Sequence, residues 1–314
     1  MKMQDVVLPI LSAFLLSALL GKLLIPLLKK VKVRQTVRED GPSTHLCKAG
    51  TPTMGGIIIL LSILLSTLPF LHRFPEGIPV LCVTFGFGWI GFLDDFIKVV
   101  LRRSKGLSAF QKFLLQFLLT AGFWYYLYEV CGMDFLMRIP FSNGKSLSLG
   151  ALSIPVFFFI VIGTVNGVNL TDGLDGLAAG VTAIVGITFA VIGWKGGDTI
   201  LTVSGTVVAG ALIGFLLFNH YPAKIFMGDT GSMALGGVLS GIAVVTGKEF
   251  LLPLVGLIYV LEALSVIIQV AYFRKTGGKR FFRMAPLHHH FELGGMKEYN
   301  VVYMFCAVTA VLGV

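Results

Sequence analysis

Five aspartates and three adjacent histidines stand out in a mostly apolar chain. Asp94 and Asp95 close an apolar run in Gly91-Phe92-Leu93-Asp94-Asp95-Phe96-Ile97-Lys98. Carboxylates at such a boundary are expensive and tend to be functional. Adjacent helical residues point about 100° apart, so the two acids have different tasks. One suits Mg²⁺, while the other serves as a base or shapes the site. Asp94 and Lys98 are i,i+4 neighbours and share a helix face. The plain alternative is a solvated helix end whose acids offset nearby lysines.

Two further segments carry the same kind of chemistry. Asn169-Leu170-Thr171-Asp172-Gly173-Leu174-Asp175-Gly176 is polar where two apolar runs meet. Asn169, Asp172 and Asp175 are spaced i, i+3, i+6 and form one face if the segment is helical. Gly173 and Gly176 permit close backbone approach to a ligand, and a tight turn with Asp caps is the alternative. Phe226-Met227-Gly228-Asp229-Thr230-Gly231-Ser232 opens another apolar run. Asp229, Thr230 and Ser232 are good N-cap types, and free N–H groups there can face an anion. Asp229 can also hold a metal that bridges phosphates, and Phe226 can stack on a base. His288, His289 and His290 are internal. In an extended segment His288 and His290 share a face. With no cysteine nearby, phosphate binding or orientation of a catalytic acid fits them better than zinc.

The elements that must position these residues are apolar. Of the 314 residues, 55% are hydrophobic and 13% charged, and the mean hydropathy is +0.87. That excludes an ordinary soluble domain and predicts one membrane-embedded unit, 1–314, of the all-α polytopic class. Ten helical spans are expected near 6–28, 55–72, 79–96, 110–130, 151–168, 176–194, 200–218, 231–247, 251–273 and 299–314. The first is too long for a signal-peptide core and reads as a retained span. The last is short of a bilayer core, which implies a tilted helix in a thin region or a span cut short. Cys47, Cys82, Cys131 and Cys306 form no CxxC pair, so neither a disulfide framework nor a thiolate metal site is expected. A small outer β-hairpin is expected near 138–148, around Ser142-Asn143-Gly144-Lys145.

The loops alternate between two sides. Seventeen of the 25 Lys and Arg fall on one side and six on the other. By the positive-inside rule the first side is cytoplasmic and both termini point outward. All the chemistry-bearing segments above then lie on the cytoplasmic side, although charge counting alone set the orientation. The net charge of +9 fits cytoplasmic loops and anionic headgroups rather than nucleic acid. Acidic carboxylates, phosphate-friendly glycines, lysines and histidines at a membrane boundary suit phosphoryl transfer between a soluble diphosphate and a lipid phosphate. Asp5, Asp198 and Glu249, among other acids, read as ordinary loop or terminal charges.

Thr51-Pro52-Thr53-Met54-Gly55-Gly56, the Asp94 to Lys98 segment, Asn169 to Leu177, Phe226 to Ser232 and Ala285-Pro286-Leu287-His288-His289-His290-Phe291-Glu292 occur in this order. In these motifs, over essentially its whole length, the chain resembles the polyprenyl-phosphate N-acetylhexosamine-1-phosphate transferases. The Pro286 to Glu292 stretch resembles the branch that uses UDP-MurNAc-pentapeptide. The resemblance implies a Mg²⁺-dependent reaction of UDP-MurNAc-pentapeptide with undecaprenyl phosphate, giving lipid I and UMP at the bacterial inner membrane. It implies Asp229 as a Mg²⁺ ligand, Asp94 as base or nucleophile with Asp95 in support, and His288 close to the chemistry. Asn169, Asp172, Asp175 and Phe226 would contact the nucleoside. Lys48, Thr53, Asn219, Gln269 and His289 would line the nucleotide-sugar site. Lys98 and Lys112 would meet phosphate charge. Gly228, Ser232, Ala285 and His290, within the same motifs, complete the substrate-binding set. A homodimer is a family-level expectation. Two rival functions are a UDP-GlcNAc-specific transferase and an ion-coupled transporter. A transporter would place its carboxylates nearer the bilayer midplane, on repeated halves.

Overall fold

The computed structural model describes residues 3–30, 50–99, 101, 106–140, 142 and 145–314. Lys48 and the hairpin-turn residues Asn143 and Gly144 lie outside the described residues. Each of the ten apolar stretches holds a helix. These are α1 (Gln4–Lys30), α2 (Gly56–Leu71), α3 (Gly77–Val99), α4 (Ala109–Tyr125), α5 (Ser153–Thr171), α6 (Leu177–Gly196), α7 (Thr199–Asn219), α8 (Gly228–Val245), the short α9 (Leu251–Val255) running into α10 (Leu257–Lys275), and α12 (Glu298–Leu312). A short helix, α11 (Leu287–Glu292), precedes α12. Seven of these, α1, α3, α5, α6, α7, α8 and α10, are long and apolar enough to cross a membrane. α2 and α12 are apolar but shorter, and α4 continues to Val130 through a wider turn. The expected hairpin forms: β1 (Leu136–Arg138) pairs antiparallel with β2 (Ser146–Ser148), Arg138 opposite Ser146.

Burial ranks the helices. The apolar window of α8 is 83% buried and that of α7 72%, against 22% for α1 and α10. α8 is therefore the central post and α1 and α10 are peripheral. α8 packs against α3 on one side and α5 on the other, while α7 lies between α1 and α6. Without a hydrophobic drive between helices in lipid, close approach depends on small side chains. At Gly91 on α3, a Cβ would collide with the backbone carbonyl of Asp229. At Gly236 on α8, it would collide with the backbone of Val165 on α5. Thr84, Thr206 and Ser240 return their hydroxyls to carbonyls of the preceding turn, which satisfies them inside the bundle.

An extended piece of chain is stitched to the start of α8. Phe226 N donates to Pro52 O at 2.8 Å, and Gly55 N and Gly56 N donate to Phe226 O and Met227 O at 2.9 Å. This carries Thr53 to the head of α8.

Several expectations change. Asp5 is 5% exposed and pairs with Arg73 at 3.4 Å, joining α1 to the α2–α3 turn. Asp198 caps α7 by accepting from Leu201 N at 3.0 Å and pairs with Lys248. Glu249 is 4% exposed, and burial pushes its carboxyl up to about 7. Asp5 and Asp198 are packed braces, and Glu249 is a buried acid rather than a solvated charge.

The close α3–α8 contact is testable. Gly91→Ala should lower the thermal midpoint in detergent, an overpacking cost of about 1–3 kcal/mol. Gly122→Ala on α4, where a Cβ meets nothing within 4 Å, should be neutral or slightly stabilising. Equal midpoints for the two variants would refute the contact as a packing constraint.

Candidate active site

The C-terminal ends of α3 and α5 and the N-terminal ends of α4 and α8 meet at one end of the bundle. Asp94, Asp95 and Asp229 each bring a carboxylate oxygen within 4.8 Å of the others. Three anions this close, with little water, need cations. Lys98 Nζ supplies one, 2.5 Å from Asp94 Oδ2 and 2.9 Å from Asp229 Oδ2. Lys112 Nζ supplies another, 3.0 Å from Asp229 Oδ2. Asn169 Nδ2 donates to Asp229 Oδ1 at 2.9 Å and to Ser232 Oγ at 2.7 Å. Asp229 is thus held by α3, α4 and α5 at once.

The two adjacent aspartates do differ. Asp95 Oδ1 accepts from Asp229 N at 3.1 Å, and its Oδ2 accepts from Thr230 N at 2.9 Å and Thr230 Oγ1 at 2.7 Å. It caps α8 from a neighbouring helix, so both its oxygens are committed. The expectation that Asp229, Thr230 or Ser232 caps α8 locally is corrected: the residue before α8 makes no side-chain cap. Asp94, 2% exposed, accepts from Leu107 N at 2.8 Å and otherwise faces Lys98. Gly228, with φ +70°, lies so close to Asp95 and Thr53 that a Cβ would clash with both side chains.

The Asn169–Asp175 segment is not a single face. α5 ends at Thr171 and the chain turns before α6. Asp172 stays beside the acidic cluster, half-buried. Its carboxyl is pushed well above the usual range, first by burial and then by Asp229, Asp95 and Asp175. Asp175 turns inward instead. Its Oδ2 accepts from Ala223 N at 2.9 Å, and its N–H donates to Glu298 Oε1 at 2.8 Å. Asn219 is buried, Nδ2 donating to Ile225 O at 2.9 Å and Oδ1 without a partner among the described residues. Asp175 and Asn219 therefore brace the segment that leads to a half-buried Phe226.

The histidines are helical, not extended, so His288 and His290 do not share a face. His288 is 1% exposed, and its ring lies against Gly173, where a Cβ would strike Nε2. This sets α11 beside the Asp172 turn. His289 Nδ1 is 2.8 Å from Glu292 Oε2. His290 Nδ1 accepts from Arg283 N at 3.1 Å, and Gln269 Oε1 accepts from Phe281 N and Phe282 N at 3.2 and 2.8 Å. Gln269 and His290 thus shape the loop that carries Ala285.

Sequence reasoning missed Glu262. It lies fully buried on α10 and accepts from Leu287 N at 2.7 Å and His288 N at 3.2 Å. His288 Nδ1 is 3.2 Å from the same carboxylate. Glu262 hangs the histidine helix on α10. A lone Glu inside Leu257–Val270 was the available signal.

A groove of about 480 Å³ opens beside this cluster, between α4, α5 and α10. Its walls are apolar, including Phe113, Phe117, Phe158 and Ile267, and it reaches Asn166 and Leu170 next to Asn169.

Known proteins are similar to this chain over most of its length. The Glycosyl transferase family 4 profile matches residues 78–247. The phospho-N-acetylmuramoyl-pentapeptide-transferase signature 1 matches residues 48–60, which include Thr53. The phospho-N-acetylmuramoyl-pentapeptide-transferase of Clostridioides difficile (strain 630) is 49% identical over 306 residues, covering 96% of this chain and 94% of its own. That of Bacillus subtilis (strain 168) is 46% identical over 318 residues, covering 99% and 97%. The segments that build the carboxylate cluster fall within the family match, and the similarity runs through the histidine helix to α12, so the chain belongs to the phospho-N-acetylmuramoyl-pentapeptide-transferases of glycosyl transferase family 4.

Proposed function

We propose that the chain transfers phospho-MurNAc-pentapeptide from UDP-MurNAc-pentapeptide to undecaprenyl phosphate, giving lipid I and UMP. The observation that carries this is a carboxylate–lysine cluster whose Lys112 and Asn169 adjoin, in the chain, the groove-lining Phe113 and Leu170. The apolar walls of the groove suit the first isoprene units of a prenyl chain, whose phosphate would then lie by Lys112, Asn169 and Asp229. The nucleotide sugar comes from the side of Asp172, Phe226 and the histidine helix. All ten helical stretches act as spans of one unit, 1–314, with both termini outside and the cluster facing the cytoplasm. The Lys and Arg excess in the loops on the cluster's side supports this orientation.

The donor set fits Mg²⁺, a hard cation that takes carboxylate oxygens. Asp229 would hold it, with Asp94 the adjoining carboxylate, because Asp95 is engaged on α8. The chemistry supplied by a bound Mg²⁺ is neutralisation of charge on the phosphate oxygens. Lys98 and Lys112 counter the repulsion between two phosphate substrates. An oxygen of the lipid phosphate attacks the β-phosphorus, and the bond from that phosphorus to the bridging oxygen breaks. UMP leaves with the electron pair. Asp94 accepts the proton when the acceptor phosphate carries one. Direct attack is the preferred route, with a phospho-aspartate intermediate as the alternative.

Radiolabelled UDP-MurNAc-pentapeptide should be converted to a lipid-linked product only with Mg²⁺ and polyprenyl phosphate both present. Turnover of UDP-GlcNAc alone would refute the proposed donor, and a covalent phospho-sugar adduct formed without acceptor would sink the direct route. Asp229→Asn and Asp94→Asn should each lose about 10²-fold or more in kcat while keeping the parent's gel-filtration profile. Near-normal turnover in either removes that residue from the mechanism. Glu262→Ala should lower activity about tenfold or more, since it strips the acceptor from two buried N–H groups that fix α11, at about 1–3 kcal/mol each. Unchanged rates would show that α11 holds its place without it.

A further inference from the structure

One polar contact in the groove wall is used by none of the steps above. Gln116 on α4 is 1% exposed. It meets Asn166 on α5 in a reciprocal amide pair: Asn166 Nδ2 donates to Gln116 Oε1 at 2.8 Å, and Gln116 Nε2 donates to Asn166 Oδ1 at 3.4 Å. Asn166 Nδ2 also donates to Ile162 O at 2.8 Å. The surroundings are apolar, with the rings of Phe117 on α4 and Phe158 on α5 tilted against each other, centroids 4.8 Å apart. A polar pair in such a place is retained at a desolvation cost, and paired amides there fix geometry more sharply than apolar contacts do.

The pair sits one turn from the chemistry on both helices. Lys112 precedes Gln116 by four residues and Asn169 follows Asn166 by three, so each shares a face with its partner. Lys112 reaches Asp229 Oδ2 and Asn169 reaches Asp229 Oδ1. α4 and α5 are therefore joined by two successive rungs, first the amide pair and then Asp229.

We infer that the Gln116–Asn166 pair is a positioning element for the lipid acceptor. It sets the spacing of α4 against α5, and with it the placement of Lys112 and Asn169 where the acceptor phosphate must lie. This rests on the lipid-acceptor reading of the groove. Among the described residues, the hydrogen bonds of the two side chains run to each other and to Ile162, none to the Asp172 turn, the segment before α8 or α11. The pair thus bears on acceptor use more than on donor use.

Steady-state rates of the full-length protein in detergent test this, with undecaprenyl phosphate and UDP-MurNAc-pentapeptide varied in turn. Gln116 does not line the groove, so Gln116→Leu acts through Asn166. It should raise the acceptor KM about tenfold, the effect of losing about 1.4 kcal/mol of hydrogen bonding, with the donor KM within about twofold. The double variant Gln116→Leu/Asn166→Leu leaves no buried amide unpaired and should show a similar, not multiplied, acceptor effect. The exchange Gln116→Asn/Asn166→Gln keeps the combined side-chain length and should restore most of the acceptor KM. An unchanged acceptor KM in Gln116→Leu overturns the inference. So does an equal rise in both KM values, which marks a merely structural role. A double variant with the parent's acceptor KM shows that only the orphaned amide mattered and also overturns it. If the parent protein converts donor without needing any polyprenyl phosphate, the lipid-acceptor reading itself falls.

Discussion

A carboxylate on α3 holds the first backbone N–H groups of α8, and the site is built outward from that contact. Asp95 accepts from the N–H of Asp229 and from both donors of Thr230. A helix start offers unpaired N–H groups and a partial positive charge. An acid from another helix satisfies both, so α8 can begin inside the bundle without a local cap. The same contact fixes the backbone of Asp229 and therefore where its carboxylate points. Gly91, one turn before Asp95, allows the two backbones to come this close.

From that anchor the acids divide their labour by environment. Asp95 is saturated by helix donors. Asp229 collects two ammonium groups and an amide. Asp94 keeps one lysine and one backbone N–H. Asp172, beside them with no basic partner among the described residues, is pushed well above the usual carboxylate range by burial and by the neighbouring acids. Glu262 performs the cap-like task again at α11, holding Leu287 and His288 by their N–H groups. In two places a carboxylate on one helix captures the N-terminus of another, which orients Asp229 in one case and His288 in the other.

Much of this was legible in the sequence, for a physical reason. Asp94, Asp95 and Asp229 interrupt apolar runs, and a charge there demands explanation without any knowledge of the fold. The helical stretches follow from hydropathy in the same way. What stayed hidden depends on contacts between residues far apart in the chain. The cap on α8 comes from a residue more than 130 positions away, so local cap types at Thr230 and Ser232 misled. Asn169 and Asp175 fit helical spacing, but the helix ends at Thr171 and Asp175 turns toward Ala223. The histidines fit an extended strand, yet Glu262 draws their first N–H groups into a helical turn. Asp5 and Glu249 looked like loop charges because burial is a property of the folded neighbourhood.

α10 has two working faces on consecutive residues. Glu262 points inward to the histidine helix, while Ala263 lines the apolar groove. One helix therefore carries a buried polar contact on one face and the wall of an apolar groove on the next. On the proposed reading, reactants of opposite solubility would approach Asp229 from the two sides of this helix, neither having to pass through the other's solvent.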